Sequence, residues 1–162
     1  MPRIQWSLAS MCRMKQLVFL CSLLIAVFGC QRATNAPGLT LYLQLVRGSD
    51  QDTAPTPDAR PIELKLSNRL HSVLKWKNYW ELKRDFIVVS QGQKLRRRLS
   101  PEREVEIEFL DPQQLAARIY VNGKLTQCRK QPAKAAFYVA GGDQGADQSW
   151  FIVVREDRPL TP

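Results

Sequence analysis

Apolar and more polar residues alternate along much of this chain from position 39 onward. Between Leu39 and Val46 every second residue is leucine, and the intervening residues are Thr, Tyr, Gln and Val. Successive side chains of an extended strand point to opposite faces, so this spacing places the four leucines together. The pattern predicts a strand over 39–46 with one strongly apolar face.

Further segments of strand character follow at short intervals, separated by turn-forming residues. The strongest turn signal is Asn122-Gly123, because both residues accept the positive φ of a type I′ hairpin turn. The other segments that the pattern assigns to strands are 79–90, 94–99, 103–110, 115–121, 124–129, 135–140 and 149–155.

One stretch has helical spacing instead. Ser67 is a candidate N-terminal cap, and the apolar residues around it recur at intervals of three to four. These apolar residues are Leu66, Leu70, Val73 and Leu74. A mainly β chain of about eight strands, with at most one short helix and no βαβ alternation, is typical of an antiparallel β-sandwich or a barrel-like sheet pair.

Two oppositely charged segments lie on either side of residues 100–102. If they form a hairpin, a basic side chain stands opposite an acidic one at three positions along the same face of the two strands. Each such pair contributes favourably to the stability of the sheet. The predicted structural ion pairs are Lys94 with Glu108, Arg96 with Glu106, and Arg98 with Glu104. This pairing neutralises the densest basic run of the chain, so we expect no nucleic-acid binding.

Aromatic residues are concentrated between positions 75 and 80, beside two lysines. Rings that share an exposed face stack on sugars, and lysines attract anions. The candidate ligand contacts are Trp76, Tyr79, Trp80 and, further along, Trp150. The competing interpretation places the tryptophans in the core and the lysines in solvent, and the exposure of the rings distinguishes the two.

The N-terminal part has a different pattern. Arg13 and Lys15 precede an apolar run from Leu17 to Phe28 that only Ser22 interrupts. A basic start, a short apolar core and a small residue at the end are the parts of a secretory signal. The run is shorter than the roughly 20 residues that a spanning helix needs. We therefore expect an N-terminal signal helix and an exported protein.

The end of this signal, Val27-Phe28-Gly29-Cys30, resembles the lipobox of bacterial lipoproteins. The resemblance covers these four residues and the apolar run before them. It implies that Cys30 is lipidated and becomes the first residue of a membrane-anchored chain. With Gln31 after the cysteine, the same resemblance implies an outer-membrane anchor facing the periplasm. Cleavage near Gly29 or Ala36 without lipidation is the alternative and would give a secreted protein.

The predicted organisation is a signal peptide at 1–29, a tether at 30–38, one β-rich domain at 39–156 and a flexible tail at 157–162. Because all three basic residues of the signal leave with it, 21 of the 24 basic residues remain, against 15 acidic ones. A mild basic excess of this kind is typical of a solvated surface or of contact with anionic groups.

The cysteines do not predict a disulfide framework. Cys12 and Cys21 lie in the signal, Cys30 would carry lipid, and Cys128 is then left alone. No phosphate loop, nucleophile elbow or metal-binding motif occurs, so we predict no metal and no cofactor.

The sequence thus favours a non-enzymatic envelope protein, held at the membrane by a lipid and acting on a protein partner as a binding or assembly module. A carbohydrate- or polyanion-binding β-sandwich is the alternative, with a glycan as partner. A hydrolase without a recognisable motif is the third hypothesis.

Overall fold

The computed structural model describes residues 38–133, 138–143 and 147–159. The predicted signal and Cys30 lie outside the described residues. The described part contains nine strands and one short helix, in the order β1 (Leu39–Ser49), β2 (Arg60–Pro61), α1 (Leu64–His71), β3 (Asn78–Val89), β4 (Lys94–Arg98), β5 (Arg103–Asp111), β6 (Gln114–Val121), β7 (Lys124–Pro132), β8 (Tyr138–Asp143) and β9 (Gln148–Arg155).

The strands form two antiparallel sheets. The five-stranded sheet has the order β2-β3-β1-β9-β8, and the four-stranded sheet has the order β4-β5-β6-β7. β1 lies at the centre of the larger sheet and pairs with both β3 and β9. The predicted mainly β fold with a pair of antiparallel sheets is confirmed.

The main core lies between the two sheets. The leucines predicted to share one face of β1 do so, and Leu43 is completely buried. They pack with the inward side chains of both sheets, as is usual in a β-sandwich. The fully or nearly fully buried members of this core include Leu41, Leu43, Leu45, Ile87, Val89, Val105, Ile107, Leu115, Ile119, Ile152 and Val154.

A second, smaller core lies on the outer face of the five-stranded sheet, under α1. Leu66 and Leu70 of the helix are completely buried there, against Val46, Phe151 and Val153. One end of this outer face is therefore covered by the helix, which makes a third layer.

The helix differs from its prediction at both ends. It begins at Leu64 with Glu63 as the N-cap residue, so Ser67 lies inside the helix and does not cap it. It ends at His71, and Val73 is consequently 68% exposed. Two leucines four residues apart are enough to hold a helix of two turns on the sheet.

β3 contains a bulge that changes which side chains face the core. The β1–β3 register shifts between Leu45 and Val46, and Leu82 is the extra residue on β3. An extra residue moves every later side chain to the opposite face. Ile87 and Val89 are therefore buried, whereas an unbroken alternation from Trp80 would predict the opposite phase.

The predicted Asn122-Gly123 hairpin turn is confirmed. Asn122 has φ 51° and Gly123 has φ 76°. Both values are positive, as a type I′ turn requires, and the flanking residues Val121 and Lys124 pair directly. Within the described part of the chain, no helix has the length and apolarity needed to cross a membrane.

Candidate binding surface

The aromatic residues proposed as ligand contacts do not form an exposed platform. Trp76 and Tyr79 are each 4% exposed and belong to the core under α1, while Trp150 is 8% exposed and belongs to the core between the sheets. Trp80 is half-buried. Because the rings divide between two cores, they cannot stack together on one sugar.

The buried rings have structural partners instead. His71 of α1 packs edge-on against Tyr79 with ring centroids 5.0 Å apart. Desolvation by burial raises the pKa of Tyr79, which keeps its hydroxyl neutral. The Arg103 guanidinium lies 4.8 Å from the Trp150 ring. These contacts fit the interpretation in which the aromatic residues pack the domain.

The predicted charged hairpin lies on the outer face of the four-stranded sheet. β4 and β5 pair in the predicted register, with Lys94 opposite Glu108, Arg96 opposite Glu106 and Arg98 opposite Glu104. Arg118 of β6 stands on the other side of Glu106. We call these seven residues the charge lattice.

The side-chain contacts of the charge lattice differ from the predicted pairs at one position. Arg98 contacts Glu104 at 2.7 Å, and Lys94 lies 3.8 Å from Glu108. Arg96, however, donates to Glu104 at 2.6 Å and not to Glu106. Its guanidinium stacks 3.7 Å from the centre of the Tyr120 ring, which draws it along the sheet to the diagonal carboxylate.

Arg118 takes the place that the sequence assigned to Arg96. Its Nη1 atom lies 3.2 Å from Glu106 and 2.7 Å from Glu108. The hairpin pattern alone did not indicate Arg118, because it stands on the next strand. The three carboxylates are thus covered by cations from both neighbouring strands.

Arg97, which breaks the apolar face of β4, is explained by the opposite sheet. Its Nε atom lies 3.8 Å from the Asp85 carboxylate of β3. This contact joins β4, the edge strand of the four-stranded sheet, to a part of β3 that β2 does not pair with.

Acid should weaken the domain through the charge lattice. The hydrogen bond from Arg98 holds the pKa of Glu104 below its ordinary value of 4.5, and the hydrogen bond from Arg118 does the same to the pKa of Glu108. A carboxylate whose pKa is lower in the folded state than in the unfolded state stabilises the domain at pH values above its ordinary pKa. This stabilisation is lost as the pH falls through the pKa of the folded state. The urea midpoint should therefore fall as the pH is lowered from about 5 to 3.

Glu104→Gln should flatten that pH dependence, and 1 M NaCl should reduce it. Glu156→Gln serves as the control, because Glu156 is an exposed carboxylate on the segment after β9. A midpoint in Glu104→Gln that falls with acid as steeply as in the parent protein would show that these pairs contribute nothing.

The outer face of the five-stranded sheet carries an exposed apolar surface beyond the helix. Phe86 is 62% exposed and Val88 is 53% exposed. Tyr42 of β1 stands opposite Phe86, with ring centroids 6.5 Å apart. We call Tyr42, Phe86 and Val88 the apolar strip. Adjacent large apolar side chains with this exposure mark interaction sites more often than isolated ones do.

Polar groups separate the apolar strip from the core under α1. Gln44 and Arg84 both contact Glu81 on this face, and Arg84 does so through two nitrogen atoms at 2.9 and 3.0 Å. Arg155 is completely buried beside them and pairs with Glu63. The strip is therefore a separate apolar patch with a polar boundary, and it is not an exposed extension of the core under α1.

One shallow cleft lies at the β8 side of the five-stranded sheet, among the described residues. This cleft of about 370 Å³ between the segment after α1 and β8 is lined by apolar residues and glycines only, namely Val73, Leu74, Val139, Gly141, Gly142 and Phe151. Among the described residues, no three His, Cys, Asp or Glu side chains are grouped as metal ligands would be. Cys128 is exposed on β7, opposite Arg118.

No protein-family model, curated protein or solved structure matches the chain.

The sequence did not single out the apolar strip. Counting alternation from Trp80 assigns Phe86 and Val88 to the same face as Leu82, which partly packs against the main core. A signal was nevertheless present, because residues 86–89 are Phe-Ile-Val-Val and are apolar on both faces. Such a run belongs to a strand that is covered on both sides.

Proposed function

We propose that this protein is an exported lipoprotein of the bacterial cell envelope that works as an assembly module, binding a protein partner through the apolar strip. The basic residues, apolar run and lipobox-like end at Cys30 support export and lipidation. The observation that carries the binding role is the exposure of Phe86 and Val88 on a sheet face whose other end is covered by a helix.

The other surfaces support this role less well. The aromatic rings that a glycan would need are buried, apart from the half-buried Trp80. In the charge lattice, the Glu104 carboxylate is shared by two arginines, which leaves a polyanion less to gain. The apolar strip, in contrast, gains from being covered, because its side chains leave water.

The apolar strip also lies beside Gly38, the first residue that the structure describes. Gly38 adjoins Val88, since a Cβ atom on Gly38 would lie 2.7 Å from Val88 Cγ1. The eight residues 30–37 span at most about 29 Å when fully extended. A lipid on Cys30 would therefore hold the strip near the membrane surface, within reach of other envelope proteins.

Intact-mass measurement of membrane-extracted protein tests the anchor. The expected species begins at Cys30 and carries acyl mass, and Cys30→Ser should remove both the acyl mass and the membrane association. A species that begins at Ala33 or Pro37 and needs no detergent would contradict the lipoprotein while leaving export intact.

Cross-linking in intact cells tests the binding role separately. Phe86→Asp should remove the cross-linked products of the parent protein, because it buries a charge in the contact. Leu125→Lys is the matched control, since Leu125 is also an exposed strand residue, at 52%, but lies on the four-stranded sheet. Products that are lost equally in both variants, or in neither, would contradict a role for the strip.

A further inference from the structure

We infer that the partner at the apolar strip is a second copy of this chain, joined to the first by antiparallel pairing of the two β3 strands. The inference rests on the proposed function and names the partner at the same site. It follows from the backbone beside the strip as well as from the exposed side chains.

The edge of β3 beside the strip is open. β2 pairs with β3 only at Trp80 and Glu81. From Leu82 to Val89, no described strand lies on that side of β3, which stands at the edge of its sheet except for β2. An edge of this length presents a row of backbone donors and acceptors to another strand.

The direction of the free backbone groups can be derived from two hydrogen bonds. Before the bulge, the Tyr79 carbonyl accepts from Ile62, so the odd-numbered residues point toward β2. The bulge reverses this phase, and the Phe86 amide accordingly donates to the Asp85 side chain at 2.8 Å. In an antiparallel ladder both groups of a residue point to the same side, so Phe86 and Val88 present their N–H and C=O groups to the open edge.

The same two residues thus offer apolar side chains to one side and free backbone groups to the edge. A β-strand that adds here satisfies the backbone and covers the apolar side chains at once. The Phe86 amide donates to the side chain of the neighbouring Asp85. An incoming strand can replace this carboxylate without breaking hydrogen bonds between strands of the sheet.

The segment 84–90 is complementary to itself when reversed. If Phe86 stands opposite Val88 of the copy, both apolar side chains of each strand meet an apolar partner, twice per dimer by symmetry. In this register Arg84 faces Ser90 and Asp85 faces Val89, so no like charges stand opposite each other. β2 lies beyond this segment and needs no displacement.

The geometry also suits two anchored chains. Leu39 stands opposite Val89, so each chain enters its sheet beside the seam. With ordinary strand spacing and rise, the two Leu39 residues of the dimer lie roughly 20 Å apart. Both predicted anchors can then enter one bilayer, and confinement to the same membrane raises the effective concentration of the two copies.

A charge-swap experiment tests both the dimer and its register. The detergent-extracted parent protein should show a concentration-dependent monomer–dimer equilibrium by sedimentation. Phe86→Asp alone and Val88→Lys alone should each weaken the dimer at least about tenfold. An equimolar mixture of the two variants should regain it, because Asp at 86 then faces Lys at 88 of the other copy. Leu125→Lys should dimerise like the parent protein.

The inference is overturned if the parent protein stays monomeric, if the dimer persists in both charged variants, or if the mixture fails to dimerise. Circular dichroism shows whether each variant is folded. Two exposed positions are tested so that a single unfolded variant does not decide the result. The parent protein could be lipidated and monomeric, while Phe86→Asp still removes its cross-links in cells. That result would refute the self-pairing and leave the proposed function standing.

Discussion

Replacing Glu63 by glutamine is expected to lower the free energy of unfolding by about 3–5 kcal/mol, the usual loss when one partner of a buried ion pair is removed. The Arg155 side chain is 1% exposed and pairs with Glu63, whose side chain is 8% exposed. Its Nε and Nη2 atoms have no hydrogen-bond partner among the described residues. The loss of Glu63 therefore leaves a buried guanidinium with Asp157, at 3.7 Å, as its remaining carboxylate.

The double variant Glu63→Leu with Arg155→Met should recover most of this loss, because replacing both charges by apolar groups leaves nothing unpaired. Lys65→Ala is the matched control. Lys65 also joins α1 to the segment after β9, through Asp157 at 3.3 Å, but its side chain is 61% exposed. An exposed pair of this kind contributes at most about 1 kcal/mol.

Urea denaturation followed by tryptophan fluorescence measures these differences, since Trp76 and Trp150 are buried. If Glu63→Gln unfolds at the same midpoint as Lys65→Ala, the pair does not hold the helix to the sheet. If the double variant is no more stable than Glu63→Gln, the loss comes from something other than the unpaired charge.

Replacing Gly141 by alanine is expected to destabilise the domain by about 2–3 kcal/mol or more, as overpacking a filled core does. A Cβ atom at this position would overlap the Trp150 carbonyl oxygen and lie 2.5 Å from Phe151 Cδ1. The carbonyl oxygen belongs to the paired strand β9, so the clash cannot be relieved by a side-chain rotation. The sheet would have to open at its β8 edge.

The adjacent Gly142 provides the control. A Cβ atom there would lie 3.4 Å from its nearest neighbour, Trp150 Cζ2, which is close to an ordinary contact. Gly142→Ala should therefore be neutral or stabilise the strand by up to about 1 kcal/mol. Thermal melting of the two variants gives the comparison, and equal melting temperatures would show that β8 does not pack on β9 as described.

The sequence predicted those features of the fold that depend on local pattern. The apolar face of β1, the Asn122-Gly123 turn and the register between β4 and β5 were all readable from alternation, turn chemistry and charge. Each depends on residues that are neighbours in sequence or are joined by one short turn.

The features that the sequence did not predict depend on contacts between distant segments. Arg96 turns to Glu104 because Tyr120 of another strand stacks on it. The predicted tail includes Asp157, yet this residue contacts Lys65 and Arg155. The strand at β8 runs to Asp143, beyond the predicted end at residue 140. None of these partners can be assigned before the sheet order is known.

The bulge on β3 separates two stretches of the strand that each keep their own register with β1. Leu82 is the extra residue, and its neighbours Glu81 and Lys83 pair with the adjacent residues Val46 and Leu45 of β1. Deleting Leu82 would therefore close the ladder without turning either stretch over, and Phe86 and Val88 would still face outward. The phase of the apolar strip is thus set by its own pairing with β1, and the strand before the bulge can lose this residue while the strip stays in place.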